Sequence, residues 1–279
     1  MMSTYHAGLM ADCGILMLGA LSVYIILSTG QLSLGNAGFM GIGAYVSSWL
    51  TVEVGLPITL ALVAGAMVAG AIGVVIGFPA LRLKGIYLAM ATLGFGEMVR
   101  SFFLTFEPLG GSGGYSGMAH ISLGYIWIWA GGTLLVVMAL ERSRFWLEVR
   151  ATHDDETAAG LIGLDTTRTK VGAFGLGAAV AAVAGGLLAH HQVYIEPGDF
   201  GFQRSIDLVL AVILGGSTVA PGALVGAGLL VLLPETLRFL ADWRLAAFGS
   251  LLILVLLVRR QGILDRNLFR LSFLRRRSA

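Results

Sequence analysis

Charge is scarce in this chain. Asp, Glu, Lys and Arg make up 12% of its 279 residues, about half the share of a soluble domain. With 57% apolar residues and a mean hydropathy of +0.86, a soluble fold would expose far too much hydrophobic surface. The composition therefore indicates an integral membrane protein. The formal net charge of +2 gives no support to a nucleic-acid partner. A single cysteine, Cys13, excludes an internal disulfide framework and paired-cysteine metal chemistry. Lysine occurs only as Lys84 and Lys170, and neither follows a glycine-rich run, so a Walker-type ATP site is excluded. No convergent nucleophile, acid–base pair or metal set stands out, so the sequence points away from an enzyme, with no catalytic residue and no metal. The N-terminus lacks a basic region before its apolar run, so no cleavable signal peptide is expected.

Long apolar runs are what the chain has in abundance. A spanning helix needs about 20 mostly apolar residues, and candidate spans fall at 8–28, 37–54, 57–79, 86–106, 121–140, 170–192, 206–220, 222–240 and 245–258. The expected fold is all-α, a polytopic membrane helix bundle of about nine spans (8–10). It forms a single transmembrane domain over residues 1–279, and its short segment near 206–220, ending in Gly215-Gly216, is broken or re-entrant. Alternating the spans puts Arg82, Lys84, the 141–170 loop and the C-terminal tail on one side. That side holds 14 of the 18 Lys and Arg residues; the other four are Arg100, Arg204, Arg238 and Arg244. The basic side is cytoplasmic, with the N-terminus outside and the C-terminus inside. The tail RNLFRLSFLRRRSA serves as a topology anchor and also suits anionic headgroups of membrane lipid. In the sixth span, Ala173, Gly177, Ala181, Gly185 and Ala189 recur every four residues, a stripe for close helix packing, and Gly222 and Gly226 repeat the device.

Polar groups interrupt these runs at particular places. The stretch GQLSLGNAGFMGIGAY carries Gln31, Ser33 and Asn36 among glycines just ahead of the second span. Glycine permits a break or sharp turn there, and freed backbone groups must then face protein or water. One reading is a broken helix lining a polar pathway; the other is a glycine-softened helix start, with Ser33, Ala37 and Gly41 spaced for helix contact. The fourth span contains Tyr87, Thr92, Glu97 and Arg100. Glu97 and Arg100 lie three apart and can pair, as a structural ion pair or as groups facing a cavity. Five glycines, Gly110, Gly111, Gly113, Gly114 and Gly117, form an external connector whose amides can also cup a carboxylate or dock a partner. Glu196 and Asp199 sit in a second external segment. The adjacent His190 and His191 point in different directions from a helix, which disfavours a metal site.

The one substantial polar stretch is the 141–170 loop. Thr152 or Asp154 can cap a helix there, and Asp155 and Glu156 suit its positive end. Ala158, Ala159, Leu161, Ile162 and Leu164 then supply a short apolar surface, Gly163 closes the turn, and Thr166 or Thr167 caps the next helix. A short amphipathic helix held outside the bilayer wants a groove on a partner, or else lies on the membrane surface.

Taken in order, GQLSLGNAGFMGIGAY, LRLKGIYLAMATLGFGEMVR, GGSGGYSG, SRFWLEVRATHDDETAAGLIGLD, TKVGAFGLGAAVAAVAGGLLA and IEPGDFGFQRSIDLVLAVILGGSTVAPGALVGA resemble the LivM-type permeases of branched-chain amino acid ABC importers. The resemblance runs from about residue 25 to 260. It implies an inner-membrane permease subunit that pairs with a paralogous, LivH-like permease above two ATPase subunits, with a periplasmic substrate-binding protein outside. ATP and Mg would sit on the partners, and no cofactor on this chain. The family's ATPase-coupling role falls on Asp155, Glu156, Ala158, Ala159, Leu161, Ile162 and Gly163, and glutamate at Ala159 is expected to break that contact. The translocation path would be lined by Gln31, Ser33, Asn36, Tyr87 and Thr92, with Glu97 and Arg100 beside them. Related permeases serve urea, amides and aromatic acids, and the competing class is a self-sufficient channel or secondary transporter. The sequence departs from the family pattern at His153, where a basic residue is common, at Pro221, one place early in GGSTVAPG, and in a short N-terminus.

Overall fold

The protein is seen in a computed structural model that describes residues 4–80, 83, 85–236, 249–250 and 263–264. Among the described residues a helix occupies each of the first eight expected spans. These are α1 (Thr4–Leu27), α2 (Asn36–Val52), α3 (Ile58–Ala80), α4 (Ile86–Thr105), α5 (Leu123–Leu140), α8 (Thr166–Gln192), α9 (Phe202–Gly215) and α10 (Ala220–Thr236). Two further helices, α6 (Arg144–Asp154) and α7 (Glu156–Leu161), fill the long polar loop. Apart from residues 249 and 250, the ninth expected span lies outside the described residues, as do the tail from 265 on, Arg82, Lys84, Arg238 and Arg244.

Helices α1, α3, α5 and α8 are each long and apolar enough to cross a membrane alone. The 14-residue α9 is about 21 Å long, short of a hydrocarbon core of about 30 Å. It is turned 118° from α10, so the expected break is present, centred on Gly216. Pro221 falls in the first turn of α10, where its missing N–H has no helical partner to lose.

Helix α8 is the centre of the bundle, packed on α1, α2 and α3. Lipid gives no hydrophobic drive to pair helices, so close backbone approach must supply the contact. The stripe Ala173, Gly177, Ala181, Gly185 and Ala189 is buried throughout. Gly177 lies against Ile26 and Ser22 of α1, and Gly185 against the Met40 carbonyl of α2. A second row, which the four-residue count did not bring out, serves α2 and α3. Ala178 meets Gly73, Ala182 meets Gly43, and Gly186 meets Leu62 and Ser47. Gly222 and Gly226 of α10 close against Gly215 and Ala211 of α9.

At the end of the bundle away from α6 and α7, strands β1 (Tyr115–Ser116) and β2 (Tyr194–Ile195) pair antiparallel and tie the glycine-rich connector to the chain after α8. Tyr115 faces Glu53, and burial first, then the Glu53 carboxylate, pushes its phenol up from the ordinary value. A 3₁₀ turn, Pro197–Phe200, dips back so that Phe200 seats against Gly41 and Tyr45. Glu196 and Asp199 cap this turn reciprocally. His190 is buried between the Gly186 carbonyl and the Thr51 hydroxyl, whereas the ring of His191 lies tilted beside that of His120. Among the described residues no three metal-ligating side chains gather.

Candidate translocation and coupling sites

The chain between α1 and α2 does not stay at the membrane edge. Gly30, with φ of 80°, turns it back at a left-handed angle that side chains resist. Residues 31–35 then run inward to the first residue of α2, Asn36. Asn36 Nδ2 donates to Ser22 Oγ at 2.9 Å, and Ser22 lies five residues, or about 7.5 Å, inside the end of α1. Leu34 N–H donates to Thr92 Oγ1 of α4 at 3.0 Å, and Ala37 N–H to Ser205 Oγ of α9 at 3.4 Å. The first turns of α2 and α9 therefore meet inside the bundle. Gln31, Ser33, Asn36 and Thr92 are all buried there, Asn36 completely. Gln31 Oε1 accepts from Thr29, and Ser33 Oγ from Gly35 N–H. Asn36 Oδ1 is buried with no hydrogen-bond partner among the described residues. Because α2 begins at Asn36, Ser33 stands ahead of the helix and not on a shared face with Ala37 and Gly41.

Tyr87 lies elsewhere. It is five residues from Thr92, which turns it about 140° around α4, and it is 69% exposed. With Met90, Gly94, Met98 and Ser101 it forms an uncovered face of α4. The expected pathway residues thus divide between a buried seam and an outward wall.

Glu97 and Arg100 pair at 2.9 Å with side chains 37% and 39% exposed. Glu97 also accepts the N–H of Phe202 at 3.1 Å, at the first turn of α9. The ion pair alone, screened at this exposure, contributes at most about 1 kcal/mol, while a carboxylate capping a helix start contributes about 1 kcal/mol more. Glu97→Ala is therefore expected to lower the thermal midpoint of the purified protein more than Arg100→Ala, read by the unfolding of each variant in one detergent. Equal losses would show that the cap contributes nothing.

The α6–α7 arm sits at the other end of the bundle. Asp155 caps α7 by accepting from Thr157 and Ala158 N–H, in place of Thr152 or Asp154, which belong to the last turn of α6. Gly163 N–H and Leu164 N–H close α7 onto the Gly160 and Ala159 carbonyls, with φ of 88° at Gly163. Asp165, one residue before the expected threonines, caps α8. In both cases the capping aspartate is the residue where the backbone is not yet helical. Glu156 pairs with Lys170 at 2.6 Å, pinning α7 to α8. Leu161 and Ile162 are 85% and 76% exposed, and Ala158 is exposed beside them. Ala159 is 3% exposed and faces inward, so it belongs to the arm's own packing and not to its outer surface.

The model of the family described as branched-chain amino acid transport system, permease component, matches residues 5–258. The chain belongs to this permease family. It is 34% identical to the high-affinity branched-chain amino acid transport system permease protein LivM of Salmonella typhimurium, over 87% of this chain and 68% of that protein, and 34% identical to LivM of Escherichia coli K12 over the same shares. The LivH permease protein of Salmonella typhimurium is 36% identical over 57% of this chain and 52% of its own. No solved structure matches significantly.

In this permease, sequence reasoning passed over several residues that the fold brings to the two sites. Ser22 and Ser205 complete the seam. Glu141, Tyr24 and Trp146 join the arm to the bundle, and His153, which the sequence marked only as a departure from the family pattern, lies against Gly30. A single serine inside an apolar run was the available signal for Ser22, whereas Ser205 sits between Arg204 and Ile206-Asp207 with no such signal. An acidic residue directly after a span was the signal for Glu141.

Proposed function

We propose that this permease is the LivM-like half of an ABC importer for branched-chain amino acids in a bacterial inner membrane. A paralogous LivH-like permease would pair with it, two ATPases carrying ATP and Mg would dock below, and a periplasmic binding protein would deliver substrate. The N-terminus lies in the periplasm and the C-terminus in the cytoplasm. The basic residues on the side of the α6–α7 arm support that orientation. The observation that carries the reading is α7 itself, a capped helix that with its C-cap residue Ile162 turns two large apolar side chains away from the bundle. A channel has no use for such a helix, whereas an ATPase groove has.

The uncovered α4 face supports a path lined jointly with the partner permease, with Tyr87 on this chain's wall. The seam around Asn36 serves as the polar joint at which the starts of α2 and α9 move relative to α4. A free acceptor at such a joint gives a donor that is released during the movement a place to rebind.

Purification from native membranes in mild detergent, with co-purifying chains identified by mass spectrometry, tests this. A second permease and ATPase subunits are expected. Recovery of this chain alone, still passing solute after reconstitution, would replace the importer with a channel.

A further inference from the structure

The arm lies against the turn between α1 and α2, and it is linked to α10 through one carboxylate outside it. Glu141, the residue that ends α5, accepts at Oε1 from the Tyr24 hydroxyl of α1 and from the Ala220 N–H at 3.1 Å. Ala220 is the fully buried first residue of α10, just past the Gly216 break. A carboxylate there satisfies a helix N–H that has no partner in the helix and meets its positive end. Trp146 of α6, 1% exposed, stacks on Tyr24 with ring centres 5.8 Å apart and planes 28° apart. At the other end of α6, His153 lies against Gly30 at the turn between α1 and α2. Between these contacts is a cavity of about 220 Å³ that opens beside Arg150, Ser217 and Thr218, so α6 is not packed solidly on the α9–α10 turn. Motion of α7 reaches α6 directly, because Asp155 ends one and caps the other.

We propose that Glu141 is a positioning residue for energy coupling: it fixes the start of α10 to the α1–α6 contact, so that displacement of the arm moves the α9–α10 break. The route is contiguous, from α7 through α6, Trp146 and Tyr24 to Glu141 and Ala220. Both helix starts at the polar seam then respond to one lever, α2 through Gly30 and α9 through its break with α10. The inference rests on the importer reading, since it needs ATPases to move the arm.

The test uses the whole importer in liposomes, comparing leucine imported per ATP hydrolysed for wild type, Glu141→Ala, Glu141→Gln and Tyr24→Phe. Glu141→Ala removes both hydrogen bonds and is expected to lower the ratio about tenfold in the assembled complex. Tyr24→Phe removes one bond and is expected to lower it about threefold. Glu141→Gln keeps an acceptor oxygen but not the charge, and falls between wild type and Glu141→Ala. A ratio unchanged in both Glu141→Ala and Tyr24→Phe overturns the inference, as does import falling only in proportion to hydrolysis. Should Glu141→Ala fail to assemble, Tyr24→Phe decides, because it removes one hydroxyl from an otherwise intact stack. A wild-type complex that hydrolyses ATP without importing leucine refutes the importer reading for this substrate, and the inference falls with it.

Discussion

Replacing Leu161 and Ile162 together with aspartate is expected to strip the ATPases from the permease and leave its membrane fold unchanged. Both side chains stand away from the bundle at 85% and 76% exposure, so the isolated permease has no contact there to lose. Burying an aliphatic side chain of this size in a partner's groove contributes about 1.5–3 kcal/mol. Losing two, and forcing two carboxylates into the same apolar groove, weakens association by 10³-fold or more, taking about 1.4 kcal/mol per tenfold. Size-exclusion chromatography of the co-expressed complex reads the association, and thermal unfolding of the permease alone reads the fold. Retained co-elution would show that ATPases dock elsewhere. Glutamate at Ala159 is the less informative change. That residue is packed inward, so a charge there would unfold the arm whether or not an ATPase exists.

The difference between Ala159 and Leu161 shows how far sequence reasoning reaches. Composition and run length were enough for an all-α membrane bundle, because a bilayer permits few other solutions and its thickness fixes the length of a span. The α8 stripe was legible for the same reason: a four-residue period of small side chains is a one-helix property. Which of two apolar residues two positions apart faces out is not. Ala159 and Leu161 lie on a helix of six residues, and their facing is decided by the Glu156–Lys170 pair and the seat on α8. Tyr87 and Thr92 were grouped by depth along α4, but angle around the helix separates them. The seam was half legible. Asn36 and Thr92 announced themselves as polar groups in apolar runs, whereas Ser22 and Ser205 lie 14 and 168 residues from Asn36 and Ala37, the residues they bind. Only the inward dip of the Pro197–Phe200 turn brings Ser205 there, and no local signal encodes that approach.

Valine at Gly185 is expected to prevent the bundle from closing. A side chain there would overlap the Met40 carbonyl, and one at Gly43 would overlap the Ala182 backbone, so α2 and α8 touch backbone to backbone at two levels. A flexible neighbour can rotate away from an added methyl group, but a helical carbonyl moves only with its helix. Forcing the pair apart empties contacts along their whole interface and opens the seat of Asn36 at the start of α2. The cost is at least about 3 kcal/mol, at the upper end of overpacking penalties, and close approach is the main source of helix attraction in lipid. Gly132 of α5 gives the control, because a Cβ there meets nothing within 4 Å. Gly132→Ala is expected to be neutral or to stabilise by up to about 1 kcal/mol through helix propensity. Membrane yield and thermal midpoint in detergent compare the variants. Wild-type yield and midpoint for Gly185→Val would mean that α2 and α8 do not pack through their backbones, which would remove the core from this fold.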